Sequence, residues 1–187
     1  MPERSVDVRR VHATDAARIR ELRLRMLDDP AAPIAYLDTH AEALARPPEF
    51  WQERAIGAAL SDEVAQFVAE DGDRWVGSVA VLAPEAGTAD YFGREHLEGR
   101  AILVSVYVEP AYRGTGLLGR LADAAAGWAR DRGRRELALD VHQNNARAQA
   151  AYRRLGFTAT GGTIEVPSGT EIEMVREIDD PPQAAAR

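Results

Sequence analysis

The sequence predicts one α/β domain carrying a mixed, mostly antiparallel twisted sheet with flanking helices. Three observations lead there. Apolar runs suited to strands are interspersed with segments whose apolar residues recur at helical spacing, in the order strand, helices, strands, strand, helix, strand, helix, hairpin. Two pairs of strand-like runs are joined by the short turns Asp71-Gly72-Asp73 and Pro167-Ser168-Gly169, the signature of antiparallel hairpins. The 187 residues, 45% hydrophobic and 28% charged, suffice for one domain with a sizeable core, and no internal repeat or linker divides them. The domain is expected over residues 1–178, with 179–187 as a disordered tail.

Taken in order, residues 6–11 suit a first strand. Thr14 or Asp15 is placed to cap a helix in which Ile19, Leu22 and Met26 share one face. Residues 28–48, with prolines at 30, 33, 47 and 48, read as irregular, and 50–60 as a second helix. Residues 66–70 and 74–82 form the first hairpin, followed by a polar loop over 83–99. The central strand is 101–108, and Pro110, which cannot extend a hydrogen-bonded ladder, ends it. A helix over 117–130 and a strand over 137–141 come next. Ala148, Ala151, Tyr152 and Leu155 then make one helical face, and a hairpin of 157–166 and 170–177 closes the fold.

Composition excludes several functions. No stretch approaches the roughly 20 apolar residues of a membrane span. The start, Met1-Pro2-Glu3-Arg4-Ser5-Val6, has no apolar targeting core, which predicts a cytoplasmic protein. The absence of cysteine removes disulfides, thiolate metal sites and a cysteine nucleophile. His12, His40, His96 and His142 show no ligand spacing, so no metal is expected. A formal charge of −7 argues against a nucleic-acid partner and mildly favours cationic small molecules or peptides. Nothing in the sequence speaks against a homodimer.

The most informative segment is Val108-Glu109-Pro110-Ala111-Tyr112-Arg113-Gly114-Thr115-Gly116-Leu117-Leu118-Gly119, between the central strand and the helix that follows. A strand that turns through glycines into a helix N-terminus presents backbone N–H groups and the positive end of a helix dipole, a ready anion site. Gly114 and Gly116 let the backbone approach a phosphate closely, and Arg113 adds a permanent cation. Gly114-x-Gly116-x-x-Gly119 satisfies the dinucleotide fingerprint literally, and Asp140 stands where a ribose-binding carboxylate would. Against that reading, residues 109–113 separate the strand from the first glycine, and no six-strand alternation surrounds the loop. No Lys-Ser or Lys-Thr follows the glycines, which excludes a triphosphate-binding loop.

Val-x-Pro-x-x-Arg-Gly-x-Gly followed by Leu and a helix resembles the acetyl-CoA-binding signature of the GNAT N-acetyltransferases. A second block, Leu137-Ala138-Leu139-Asp140-Val141-His142-Gln143-Asn144-Asn145-Ala146-Arg147-Ala148, then Tyr152 and Leu155-Gly156-Phe157, is similar to that family's later pattern. The resemblance covers residues 101–158. It departs from the family's Arg-x-x-Gly-x-Gly/Ala pattern at Leu118, which keeps its backbone N–H but changes the local packing.

The resemblance implies a central strand and a 137–141 strand that run parallel and splay apart to admit the cofactor. It implies an acetyl transfer from acetyl-CoA to a primary amine within a ternary complex, since no cysteine is available for a covalent route. Arg113, Gly114, Thr115, Gly116, Leu117, Leu118 and Gly119 would bind the cofactor's phosphates. Backbone groups near Tyr107 and Val108 would polarise the thioester carbonyl. Asn145 would orient the pantetheine arm or cap its helix, and Tyr152 would meet the leaving sulfur. A phenol at about 10 and a thiol at about 8.5 make full proton transfer from Tyr152 uphill, which favours hydrogen bonding to sulfur. For the group that deprotonates the amine, the residues offer His142 and Asp140, two apart on one strand, Glu109 near the reaction centre in sequence, Glu70 at the end of an earlier strand, or a chain of waters, and single out none of them. The loops 28–48, with Tyr36, and 83–99, with Tyr91 and Phe92, are expected to wall the acceptor side. They leave open a protein terminus, lysine, polyamine, amino acid or drug amine. A non-catalytic acyl-CoA sensor is the alternative to an enzyme.

Overall fold

The structure, a computed structural model, describes residues 6–178; the tail expected over 179–187 and the first five residues lie outside them. Strand β1 (Asp7–Arg10) leads into α1 (Ala16–Leu27), which buries Ile19, Leu22 and Met26. Asp15 stands at the N-cap position, but its carboxylate turns back to accept the His12 N–H at 2.8 Å and to pair with Arg9 at 2.8 Å. The helix therefore starts without a side-chain cap.

Residues 28–48 are more regular than their prolines suggest. They hold a 3-10 turn (Ala32–Ile34) and a short helix, α2 (His40–Ala45). Thr39 and Glu42 open α2 with a capping box, each side chain accepting the other's backbone N–H. Helix α3 (Pro48–Leu60) begins at Pro48 rather than Phe50, because proline at the first helical position has a suitable φ and no N–H to lose.

The remaining elements follow the expected order: β2 (Val64–Asp71), β3 (Arg74–Leu82), β4 (Arg100–Val108), α4 (Leu117–Arg130), β5 (Glu136–His142), α5 (Ala146–Arg154), β6 (Thr158–Val166) and β7 (Gly169–Glu177). Among the described residues the strands form one seven-stranded sheet, ordered β1-β2-β3-β4-β5-β7-β6. Every neighbouring pair is antiparallel except β4 with β5. This mixed sheet is not the doubly wound parallel sheet that a dinucleotide site at Gly114-x-Gly116-x-x-Gly119 would require.

Helices cover both faces, so β2 and β3 are buried on each side. Phe67 and Val76 belong to the core under α4, whereas Val68 and Trp75 belong to the core under α1 and α3. Strands β4 and β5 pair only from Arg100↔Glu136 to Ile102↔Ala138. Beyond that point β4 bulges. Ser78 faces Tyr107 and Ala80 faces Val104, so the extra chain between them, which includes Ser105 at φ 52°, loses the ladder. β5 stays with β7 along its whole length, from Glu136↔Glu177 to His142↔Glu171. The sheet thus divides at its middle.

The N-terminal strands are tied by a charged cluster around Glu70. Its carboxylate accepts from Arg9 at 2.8 and 2.9 Å, from Arg18 at 2.8 Å and from the Trp75 indole at 2.7 Å. The bonded Arg9 guanidinium, against burial and helped by Trp75, lowers the Glu70 carboxyl from 4.5 to about 2. A depressed folded-state value means the ionised form stabilises: the contribution is complete above 4.5 and is lost as the pH falls toward about 2. Glu70→Gln should lower the unfolding free energy at neutral pH by about 1–2 kcal/mol, a figure discounted for partial solvation. Urea unfolding across the acid range should show the two proteins converging; a gap independent of pH would assign the loss to packing instead.

Candidate active site

The divergence of β4 and β5 opens a cleft of about 850 Å³. One wall comes from α1, the 31–38 segment and α3; the other comes from β5, α5 and β7, and the glycine loop before α4 lies at one end.

Within that loop a 3-10 turn (Pro110–Tyr112) follows β4, and Gly114 and Gly116 take φ of 81° and 84°. A Cβ at either position would meet no atom within 4 Å, so the backbone angle, not crowding, calls for glycine. Gly116 is the N-cap of α4, and Arg120 donates the first intrahelical bond to its carbonyl at 3.2 Å. The N–H groups of Leu117, Leu118 and Gly119 precede that ladder at the cleft's end. Thr115 is exposed and turns its hydroxyl onto the Tyr112 carbonyl at 2.7 Å. The Leu117 side chain is buried in the core, Leu118 lines the cleft, and a Cβ at Gly119 would lie 3.3 Å from Leu155, where α4 meets the end of α5. Arg113 is already engaged: its Nε donates to the Val108 carbonyl at 2.9 Å, and its guanidinium pairs with Asp29. Burial acts to raise Asp29, but the Ala31 N–H and Arg113 overcome it and hold the carboxylate below its ordinary range.

At the divergence, Tyr107 points into the core under α1 and α3, so only its backbone is available to a ligand. The neighbouring Val106 carbonyl accepts the Tyr36 hydroxyl at 2.8 Å. Tyr36 thus reaches the separated strand from the acceptor wall, and burial raises its phenol well above the ordinary value.

Tyr152, on α5, lines the cleft with its ring 5.8 Å from that of Phe157. Burial alone raises its phenol far above 10, and its hydroxyl has no hydrogen-bond partner among the described residues. Asn145 caps α5 by accepting the Ala148 N–H at 3.1 Å and also lines the cleft, so the capping role expected of it is present.

The carboxylates and histidine considered as bases are committed elsewhere. His142 is buried; its Nδ1 accepts the Asn144 N–H at 3.1 Å, and its Nε2 lies 2.9 Å from the Ser168 carbonyl. An accepting Nδ1 puts the proton on Nε2, leaving no lone pair to take one from an amine. Asp140 is held through both oxygens by Arg94, at 3.0 and 2.6 Å. Glu109 is buried against Arg25 and Arg74, and Glu70 sits in the cluster described above. Both residues considered as bases are thus engaged by protein groups: His142 by Asn144, two residues on, and by Ser168, and Asp140 by Arg94, distant in sequence.

The structure adds a residue that the sequence reading missed. Glu171, opposite His142 on β7, lines the cleft with no hydrogen bond to its carboxylate among the described residues. Burial first, and then the neighbouring Asp140 charge, raise its carboxyl above the ordinary range, with His142 and Arg94 opposing. Among the described residues no group of three or more His, Cys, Asp and Glu is placed to hold a metal, and no helix is long and apolar enough to cross a membrane.

Comparison with known proteins agrees with this architecture. The aminoglycoside N(6')-acetyltransferase type 1 of Stenotrophomonas maltophilia is 37% identical over 71 residues, 38% of this chain and 46% of that protein. The chain spans about half the length, or less, of the curated relatives it matches. An acetyltransferase of the GNAT family from Streptococcus pneumoniae superposes with a TM-score of 0.73 at 22% identity, covering 94% of this chain and all of that one. A PaiA N-acetyltransferase from Thermoplasma acidophilum, solved with coenzyme A, superposes with a TM-score of 0.69 at 18% identity over 92% and 99% of the two chains. The family model described as acetyltransferase (GNAT) family matches residues 23–157, which include the glycine loop, the divergent strands and Tyr152. The chain belongs to the GNAT acetyltransferase family.

Proposed function

We propose that this chain transfers an acetyl group from acetyl-CoA to a primary amine by direct attack within a ternary complex. The observation that carries the reading is the single cleft in which the helix N-terminus at Gly116, the freed backbone of β4 and the unpartnered Tyr152 hydroxyl meet. Coenzyme A supplies the acetyl group as an activated thioester, and its pyrophosphate suits the N–H groups of Leu117, Leu118 and Gly119, with Gly114 and Gly116 allowing close approach. Arg113 contributes by bracing the loop against Val108 and Asp29 as much as by its charge. The bound coenzyme A of the Thermoplasma relative supports the cofactor. Titration calorimetry should find binding of coenzyme A and none of NAD; the reverse would restore the dinucleotide reading.

Tyr152 serves as a hydrogen-bond donor to the departing sulfur. With its phenol raised by burial, transfer of the proton itself is even less favourable than for a free tyrosine, so the thiolate takes its proton from the nitrogen that becomes cationic once the neutral amine has attacked. Tyr152→Phe keeps the ring packed on Phe157 and removes one hydrogen bond to a developing thiolate, worth roughly 1.5–3 kcal/mol, or one to two decades in turnover. Initial rates of thiol release at saturating acetyl-CoA should fall accordingly, with cofactor affinity little changed. Turnover equal to that of the native protein would make Tyr152 a packing residue.

Glu171 is the base that relieves the ammonium of its proton, directly or through one water. It is unpaired, faces the cleft and has a raised carboxyl, whereas Asp140 and His142 are bonded on all sides that matter. A base must be ionised to act, so kcat/KM should fall as the pH drops through the raised Glu171 value. Glu171→Gln should lower kcat by roughly ten- to a hundredfold and remove that acid limb, within the usual range for a lost general base. An unchanged limb in the variant would move the role to another group. If coenzyme A binds and no amine in a broad panel releases thiol, the chain is an acyl-CoA sensor.

A further inference from the structure

The acceptor wall of the cleft carries more positive charge than the fold uses. Arg23, Arg46 and Arg54 line it, and Asp38 is the only carboxylate among the described residues that pairs with any of them. Arg23 is bonded to Asp38, and its guanidinium carbon lies 4.6 Å from the centre of the Tyr36 ring, yet its Nη1 is buried without a hydrogen-bond partner. Arg46 stacks on Phe50 at 4.8 Å. Arg54, on α3, has neither a hydrogen bond nor an ion pair among the described residues, although it is only half-exposed.

A half-buried guanidinium without a partner is costly, and structures retain one where a ligand completes it. Burial, then the repulsion of Arg23, lowers Arg54 from the ordinary arginine value, with Asp38 opposing. An anion at this place would satisfy Arg54 and feel the charge of Arg23, which lines the same wall. The planar fork of arginine suits a carboxylate, which accepts two parallel bonds.

The position fits an acceptor that is small. Tyr36 spans from the Arg23 guanidinium, against its ring, to the Val106 carbonyl, which its hydroxyl meets at 2.8 Å. Arg23 therefore stands over the ring that touches the divergent strand, on the same wall as Arg54. Across the cleft stands Glu171, the unpaired carboxylate on the β5–β7 wall. One wall thus offers a partner for an anion and the other a partner for an ammonium.

We infer that the acceptor is an amine that also carries a carboxylate, an amino acid or a close analogue, and that Arg54 receives the acid group with help from Arg23. The inference rests on the acetyl-transfer reading above and narrows it. It departs from the mild preference for cationic over acidic acceptors that the net charge of −7 suggests, because the arginines of this wall, not the total charge, face the ligand.

The test compares the common L-amino acids with their carboxamides, each pair having the same amine and differing in the acid. Thiol release should favour the acids by about ten- to a hundredfold in kcat/KM, the range for one charge-assisted contact. Arg54→Met, which keeps an unbranched apolar stem and removes the guanidinium, should abolish most of that preference, chiefly through KM, with coenzyme A affinity by calorimetry retained. Arg54→Lys, a second variant in case the first does not fold, should retain only part of the preference. Carboxamides accepted as well as acids by the native protein, or a preference that survives in Arg54→Met, would overturn the inference while leaving acetyl transfer intact. Loss of coenzyme A affinity in Arg54→Met would overturn it too, by assigning the guanidinium to the cofactor. Acids that bind the coenzyme A complex through Arg54 yet release no thiol would uphold the anion site and sink the transferase reading. If no acid is either bound or turned over, the inference is overturned.

Discussion

The parting of β4 and β5 beyond Ile102 and Ala138 is the constraint to which the rest of the molecule responds. A sheet that opens at its centre leaves backbone N–H and C=O groups that must find other partners or be reserved for a ligand. The fold supplies some of those partners from outside the sheet. Tyr36 donates to the Val106 carbonyl and Arg113 to the Val108 carbonyl, while the Glu109 N–H returns to Val76 of β3 at 2.9 Å. On the far side β7 holds β5 along its full length, so the gap widens by the bulge in β4 and not by fraying of β5. The bulge is local, but it decides where the sheet opens.

The same constraint organises the charges. Glu109 follows β4 immediately and is clamped by Arg25 of α1 and Arg74 of β3, which anchors the end of the bulged strand to both neighbours. Asp29, just beyond α1, meets Arg113 in the glycine loop, joining the acceptor wall to the cofactor end of the cleft. Arg94 brings the loop between β3 and β4 onto Asp140 of β5, and Asp90 holds that loop in shape by accepting the Phe92 and Arg94 N–H groups at 2.8 Å each. Structural ion pairs thus surround the cleft. Among the described residues that line it, Glu171 is a carboxylate and Arg54 a guanidinium with neither a hydrogen bond nor an ion pair.

Much of the fold was legible because its signals are local. The turn sequences at Asp71-Gly72-Asp73 and Pro167-Ser168-Gly169 and the periodicity of Ile19, Leu22 and Met26 act over a few residues, and each element forms where they point. The glycine loop was legible for the same reason: Gly114 and Gly116 adopt the left-handed angles that glycine permits. Helix α2 had a local signal as well, Thr39 with Glu42 three residues on, which the surrounding prolines obscured. The site was legible only in part. His142 and Asp140 have suitable chemistry, but Ser168 and Arg94, distant in sequence, decide their state. Glu171 and Arg54 look like ordinary surface charges in the sequence. Their meaning comes from the absence of a partner, and an absence becomes visible only when every neighbour is in place.

An interrupted sheet would ordinarily be a hazard. Strand edges with free hydrogen-bonding groups are templates on which other chains pair, and proteins commonly protect them with charges, prolines or bulges. Here the two unpaired edges face each other inside the molecule, between helices and loops, and the outermost strands of the sheet are β1 and β6. The open backbone therefore lines an internal cleft and not the rim of the sheet. By hiding its most adhesive surface at the centre rather than the rim, the chain separates the capacity to hold an extended ligand from the tendency to aggregate.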